Sequence, residues 1–226
     1  AMRRQDHARA ICPAGRALGR AVFATSFYLF APAALAGLLA CSVGGAAAYS
    51  VDGCVVTVTA ADTGLGAYSS IKSVLFIDSR ATLDALADSV VGCAATGGGG
   101  GGWRLVGGGL FVYDTEDVFD LEPLKDLRAI EGKDNHGYSL SINNNANLAS
   151  LAGLRNLGGA LPGALQVSWN GALASLSGLE GVTRIGGHLF ITNNANLASL
   201  AGLRNVRGAL PGGLDVSSNV ALASLS

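Results

Sequence analysis

The chain has 226 residues, a formal net charge of −1 and 14% charged residues, whereas about 25% is usual for a soluble globular domain. This balance excludes the strong positive field that nucleic-acid binding requires, so no nucleic-acid partner is predicted. The length allows one or two domains.

The N-terminus combines a basic head, residues 1–20, with an uncharged stretch, residues 21–51. An apolar run of about 20 residues can span a bilayer, while a cleaved signal has a shorter apolar core followed by small residues. We therefore predict an apolar helix over 21–50 that is either a cleaved signal peptide or a transmembrane anchor. An anchor would contact the membrane through residues 21–48. A buried helix or a lipoprotein signal are the remaining alternatives.

The signal and the anchor both place the later residues outside the cytosol, at the cell surface or in the extracellular space. Cleavage near Ala48 would leave two of the four cysteines, Cys54 and Cys93. An even number of cysteines in an oxidising compartment predicts a disulfide between them. Two buried thiols are the alternative. The chain has no Cys-x-x-Cys spacing, so no metal site is predicted.

The second half of the chain is repetitive. The stretch NNANLASLAGLRN occurs at 144–156 and again at 193–205. It belongs to the pattern LxIxxNxxLxSLxGL, whose first leucines lie 25, 24 and 25 residues apart at Leu140, Leu165, Leu189 and Leu214. A period in this range is typical of solenoids. The LxI alternation places two apolar side chains on one face of a short strand, and stacked repeats bury them in a continuous core.

Weaker copies of the pattern begin at Leu75 and Leu110, with a hexaglycine insertion at 97–102 between them. We therefore divide the chain into the head 1–20, the signal or anchor 21–50, an N-terminal cap with a loose first coil over 51–109, and leucine-rich repeats over 110–226. The last repeat is incomplete, which predicts truncation at the C-terminus.

One asparagine recurs just past each repeat's strand, at Asn145, Asn170, Asn194 and Asn219. An asparagine side chain there can bond the backbone of the bend and of the next repeat. These residues are predicted to form a structural ladder and to have no catalytic role.

The segments LFVYDTEDVFDLEPLKDLRAIEG at 110–132 and LSINNNANLASLAGL at 140–154 resemble the receptor L-domain group of leucine-rich-repeat-like solenoids. The resemblance implies a mainly β fold, built as a right-handed solenoid of short parallel strands with coils of 24–25 residues. It also implies a place in a receptor ectodomain or another surface protein.

The alternation defines the strand positions that point away from the core. On a solenoid these positions form the surface used for binding, and exposed aromatic rings there predict recognition of a protein or glycan ligand. Cross-strand packing of the rings, or cover by a loop, is the alternative. The candidate residues are Phe76, Phe111, Tyr113, Gln166, Ser168, Phe190, Thr192 and Asp215, with Trp169 directly after one strand.

The sequence offers no set of catalytic residues and no cofactor motif. The hexaglycine is not followed by Lys-Ser/Thr, and the acidic residues of 114–134 lack the order of a calcium loop. We predict a non-enzymatic, extracytoplasmic recognition domain. A structural surface or matrix protein that assembles by stacking of coils is the alternative. A polysaccharide-active β-helix enzyme is more remote, because residues 135–226 hold only six charged side chains.

Overall fold

The computed structural model describes residues 10–11, 17–18, 39–41, 49–52, 54–58, 74–90 and 101–223. These residues form a mainly β structure with parallel sheets and few helices, as predicted. Numbered along the chain, the strands are β1 (Ala10–Ile11), β2 (Ala17–Leu18), β3 (Leu39–Cys41), β4 (Tyr49–Asp52), β5 (Val55–Val58), β6 (Val74–Ile77), β7 (Trp103–Val106), β8 (Gly109–Tyr113), β9 (Leu127–Ile130), β10 (Tyr138–Asn143), β11 (Gly159–Leu161), β12 (Ala164–Ser168), β13 (Val182–Ile185), β14 (Leu189–Thr192) and β15 (Leu214–Ser217). The helices are α1 (Arg80–Ser89) and three 3₁₀ turns, Glu122–Leu124, Ala152–Leu154 and Ala201–Leu203.

The main sheet has six strands in the order β15-β14-β12-β10-β8-β6, and every neighbouring pair is parallel. The first leucine of each repeat lies in register with the first leucine of the next. The same holds for the β-branched residue two positions later. One row is therefore Leu75, Leu110, Leu140, Leu165, Leu189 and Leu214, and the other is Ile77, Val112, Ile142, Val167, Ile191 and Val216.

These two rows face the core. The central members Leu140, Ile142, Leu165 and Val167 are all 0% exposed. The later leucines of each repeat, such as Leu148 and Leu151, join the same apolar cluster. Burial of each such side chain contributes about 1.5–3 kcal/mol, so adjacent repeats stabilise one another through one continuous core.

A second group of strands lies in other sheets, and the sequence analysis did not predict it. One sheet has the order β3-β4-β5-β7-β9, a second pairs β11 with β13, and a third pairs β1 with β2. In β9 and β13 only the first and last residues are buried. Such short segments lack the alternation of buried and exposed residues that marks a strand. They can be recognised as strands only from the structure, where their buried ends pack on the core.

The weak repeat that begins at Leu75 contains a helix. Ser79 is the N-cap of α1: its Oγ accepts from the Thr82 N–H at 3.3 Å, and Thr82 Oγ1 accepts from the Ser79 N–H at 3.2 Å. Such a capping box satisfies the first free N–H groups of a helix. Leu83 and Leu86 of α1 enter the main core.

The predicted N-terminal helix over 21–50 lies mostly outside the described residues. Within it the structure describes strand, at Leu39–Cys41 and at the start of Tyr49–Asp52. The described residues include no helix with the length and hydropathy of a membrane-spanning segment.

A glycine in each LxGL segment allows close approach of neighbouring repeats. A Cβ built on Gly153 would lie 1.8 Å from the carbonyl oxygen of Leu121. At Gly178 and Gly202 the corresponding oxygens, of Leu151 and Leu176, would lie at 2.0 Å. Real Cβ atoms do not come this close to backbone, so any larger residue would push two repeats apart.

We therefore expect Gly153→Ala to lower the free energy of unfolding by about 1–3 kcal/mol, as overpacking of a tight interior does. Gly171→Ala is the matched control, because nothing lies within 4 Å of its added Cβ, and it should change stability by less than about 0.5 kcal/mol. Urea unfolding of both variants gives the comparison. Equal stability of the two would contradict the close contact at Gly153.

Candidate functional site

The recurring asparagines form one continuous hydrogen-bonded row inside the repeats. Asn145 Oδ1 accepts from Thr115 N and Oγ1, at 3.2 and 2.8 Å. Asn145 Nδ2 donates to the Val112 carbonyl at 3.0 Å and to Asn170 Oδ1 at 3.0 Å. The Asn145 N–H donates to the same Asn170 oxygen at 3.2 Å.

The pattern continues with Asn170 bonded to Asn194 and Asn194 bonded to Asn219. Asn145, Asn170 and Asn194 are 0% exposed. Their amide oxygens and nitrogens are all occupied by protein groups, so the row has a structural role and presents no group to a ligand.

The sheet face turned away from the core carries eight of the nine predicted ligand-binding residues. The register aligns them in two rows that cross the strands. The first row is Phe76, Phe111, Ser141, Gln166, Phe190 and Asp215, and the second is Tyr113, Asn143, Ser168, Thr192 and Ser217. We call this surface the outer face.

Phe76 and Phe111 lie on the outer face but are only 6% and 3% exposed. They form a separate apolar cluster with Val74, against which Tyr113 and Tyr138 pack. The expectation that these two rings are available to a ligand is therefore wrong. They make the cross-strand packing that was the alternative, because aromatic rings on adjacent strands bury one another.

Two aromatic residues of the outer face were missed by the sequence analysis. The Tyr138 ring is edge-on to Phe111, at 6.2 Å between centroids, and lies 6.2 Å from Phe190. His188 stacks on Phe190 at 5.1 Å. Strict alternation places Tyr138 on the same face as Leu140, but the register shifts between these residues and turns the ring outward.

A turn ahead of β10 positions Tyr138. Asp134 Oδ1 accepts from the N–H groups of Tyr138 and His136, at 2.6 and 3.1 Å. The Asp134 N–H donates to the Tyr138 carbonyl at 2.9 Å. Asp134 is 5% exposed, and its Oδ2 has no hydrogen-bond partner. Burial raises the pKa of this carboxyl, although the N–H donors partly oppose the rise.

The middle of the outer face is uncharged and internally hydrogen-bonded. Ser141 Oγ donates to Gln166 Oε1 at 3.1 Å, and Thr192 Oγ1 donates to Ser168 Oγ at 2.9 Å. The two serines form the floor, since each is 1% exposed. Gln166 and Thr192 are half-buried, so each of these residues remains partly accessible to solvent.

Trp169 has an unusual backbone. Its φ is +58°, and its side chain is 58% exposed. The equivalent positions of the other repeats also have positive φ and carry Asp114, Asn144, Asn193 and Ser218. Small polar residues tolerate this left-handed region, whereas a bulky residue there is an outlier. An exposed indole is thus held at the end of β12 in a strained conformation.

The remaining predicted residues have these positions. Asp215 is exposed on the edge strand β15. Cys54 precedes β5, while Cys93 lies outside the described residues, so their disulfide stays a prediction. Within the described ranges, no group of three or more His, Cys, Asp or Glu side chains could hold a metal ion.

An apolar groove lies at the last repeat, next to β15. It has a volume of about 510 Å³ and is lined by residues that include Leu200, Leu203, Val206, Leu210 and Leu214. Leu214 is 63% exposed. In the described part of the chain no strand pairs with the outer edge of β15.

Comparison of the chain with family models, with curated proteins and with solved structures found no match. The resemblance to receptor L domains therefore remains a prediction from the sequence pattern.

The buried carboxyl of Asp134 predicts a pH dependence. A folded-state pKa above the ordinary value means that the folded protein binds this proton more tightly than the unfolded chain. Stability from this group is present below the ordinary Asp pKa and is lost as pH rises through the raised value. Asp134→Asn keeps an oxygen for the two N–H donors and removes the charge.

We expect Asp134→Asn to be more stable than the wild type at pH 7 and to lose less stability between about pH 4 and pH 7. Urea unfolding across this range measures both effects. Glu116→Gln, at an exposed carboxyl, is the control and should follow the wild-type curve. A variant at Asp134 that also follows that curve would refute the assignment.

Proposed function

We propose that the repeats form the coils of a right-handed solenoid of the receptor L-domain type. Three observations support this. The strands of successive repeats pair in parallel with the same register. The buried asparagines bond from one repeat to the next. The LxGL glycines allow the repeats to approach closely.

On this scaffold we propose a non-enzymatic recognition domain that binds a protein or glycan ligand on its outer face. The extracytoplasmic location rests on the basic head and the apolar run of 1–50. The observation that carries the function is the exposed indole of Trp169 beside a preformed row of uncharged polar side chains. Strained residues concentrate at binding sites, and rigid polar groups bind with a small loss of entropy.

Binding without catalysis is supported by the chemistry of the face. Ser141, Gln166, Ser168 and Thr192 have no titratable group, and general acid–base catalysis requires one within hydrogen-bond reach of the substrate. Hydroxyl and amide groups can both donate and accept hydrogen bonds. The middle of the outer face is therefore suited to hold a ligand through hydrogen bonds, and the titratable groups of the face, such as Tyr113, His188 and Asp215, are not among these four residues.

The test uses the full chain and two double variants of equal charge. Gln166→Lys with Thr192→Lys places two cations in the middle of the outer face. Ala149→Lys with Ala174→Lys places them at exposed positions outside the strands. Surface material from the cells that make the protein is separated into protein and glycan fractions, and binding of each variant is measured by biolayer interferometry.

We expect the outer-face variant to lose at least about tenfold in affinity, because each lysine has to be desolvated in a neutral contact surface. The control variant should bind like the wild type. Recognition through the outer face would be contradicted if both variants bound equally well, or if the wild type bound neither the protein fraction nor the glycan fraction.

The groove at the last repeat favours a second candidate function, assembly by stacking of coils. An apolar surface beside a strand edge that no other described strand covers is a template for pairing with another chain. Leu214 is the most exposed of the leucines that line it.

For assembly we expect wild-type oligomers that grow with protein concentration in sedimentation velocity. Leu214→Glu should shift this association to at least about tenfold higher concentration, because it places a charge in the contact. Ala209→Glu, at an exposed position that does not line the groove, should leave association unchanged. A monomeric wild type would exclude this function.

A further inference from the structure

This inference rests on the proposed recognition function and specifies its ligand. We propose that the outer face binds a neutral, hydroxyl-rich glycan at one defined patch. The neutral patch consists of Asn144, Gln166, Trp169, Phe190, Thr192 and Asn193, on strands β10, β12 and β14 and the bends that follow them.

The absence of charged members in the neutral patch favours a neutral ligand. No member of the neutral patch has a formal charge at any pH near neutrality. The carboxylates of Asp114 and Asp215 lie at its two sides, on the bend after β8 and on β15, and the imidazole of His188 lies at the start of β14. Recognition of an anionic ligand uses arginine or lysine in direct contact, and the patch has neither.

The polar groups of the neutral patch match the hydrogen-bonding groups of a sugar. A sugar hydroxyl both donates and accepts a hydrogen bond, and so do the amide of Gln166 and the hydroxyl of Thr192. Each of these groups already has one partner on the floor of the face, at 3.1 Å from Ser141 and 2.9 Å from Ser168. The side chains are therefore held in place while part of their hydrogen-bonding capacity stays available.

The exposed indole of Trp169 offers an aromatic face on which a sugar ring can stack. The positive edge of a C–H group is attracted to the negative face of an aromatic ring, and the C–H face of a sugar ring offers several such groups. The indole's backbone is fixed, since the Trp169 N–H donates to the Thr192 carbonyl at 3.0 Å. Asn144 and Asn193 occupy the equivalent positions on either side, with the same bond from their own N–H groups, at 3.0 and 3.1 Å.

Size favours a glycan over a protein. A stable protein interface uses about 20–30 residues on each side, with arginine and methionine enriched and serine depleted. The neutral patch has six residues, its aromatic neighbours Phe76 and Phe111 are buried, and serines form its floor. Three adjacent strands span only about 10 Å across the sheet, which suits a short stretch of a polymer.

The protein contains its own reporter for the test. It has two tryptophans, of which Trp103 is 1% exposed and Trp169 is 58% exposed. In the full chain with Trp103→Phe, the emission comes from Trp169 alone. The probes are soluble neutral polysaccharides, namely a β-glucan, a mannan, a galactan and a xylan. Polygalacturonate and dextran sulfate are the anionic counterparts.

We expect at least one neutral polymer to shift the Trp169 emission to shorter wavelength and to reduce its quenching by acrylamide, with no loss when the salt concentration is raised. Trp169→Asn, followed by isothermal titration with that polymer, should bind about three- to tenfold more weakly, the loss of one stacked ring. It should also be at least as stable as the wild type, because asparagine fits the left-handed backbone.

Two further variants separate binding from folding. Trp169→Phe keeps an aromatic face and should retain most of the affinity. Phe119→Ala removes another exposed aromatic ring, 57% exposed and outside the sheet strands, and should bind like the wild type. A loss with Phe119→Ala equal to the loss with Trp169→Asn would overturn the assignment of the neutral patch.

The failure of this inference differs from the failure of the proposed function. If no neutral polymer changes the Trp169 emission, or if only the anionic polymers do so and salt abolishes the effect, the neutral glycan is excluded. Recognition still stands if the lysine pair at Gln166 and Thr192 removes binding to the protein fraction. If that pair also has no effect, both proposals fail.

Discussion

The repeats are held together by buried asparagine side chains. Asn170, for example, is hydrogen-bonded both to the repeat before it and to the repeat after it. Asn170 Oδ1 accepts from the backbone and side chain of Asn145 in the repeat before, and Asn170 Nδ2 donates to Asn194 in the repeat after. Each amide also donates to a strand carbonyl of the preceding repeat, such as that of Ile142 for Asn170. A buried polar group without partners costs about 1–3 kcal/mol, so the row is stable only while the strands keep their register.

The same constraint explains why thirteen residues recur unchanged. In both copies two further asparagines donate to backbone carbonyls of the preceding repeat: Asn147 to Glu116 and Asn156 to Lys125, and then Asn196 to Gly171 and Asn205 to Glu180, at 2.7–2.8 Å. The glycine of the stretch lies against a third carbonyl. Because the stretch serves mainly to hold repeats together, the variable positions of the outer face are where a ligand can be specified. Trp169 lies in the intermediate repeat, where the equivalent residue is free to differ.

The sequence predicts the main sheet because its leucines and asparagines recur at fixed spacing, and the period survives even where single residues vary. It does not predict β9 and β13, whose few apolar residues are recognised only from the core that they cover. On the outer face, too, the sequence predicts some features and misses others. Alternation places Gln166, Phe190 and Thr192 correctly, but exposure depends on neighbours from other strands, and so Phe76 and Phe111 are buried by rings on other strands. Tyr138 is missed because a register shift reverses its direction. The left-handed backbone of Trp169 has no sequence signal, since its side chain is the one least suited to it.

Hydrogen exchange of the backbone amides tests whether the asparagine row links neighbouring repeats. The N–H groups of Asn145, Asn170 and Asn194 each donate to the side chain of the next asparagine, at 3.0–3.2 Å. In the full chain with Asn170→Ala, we expect the Asn145 amide to lose its protection and the amides of β10 and β12 to exchange faster together. The Asn194 amide, whose acceptor is Asn219, should be affected least. If the Asn145 amide stays as protected as in the wild type, the row does not hold the repeats together.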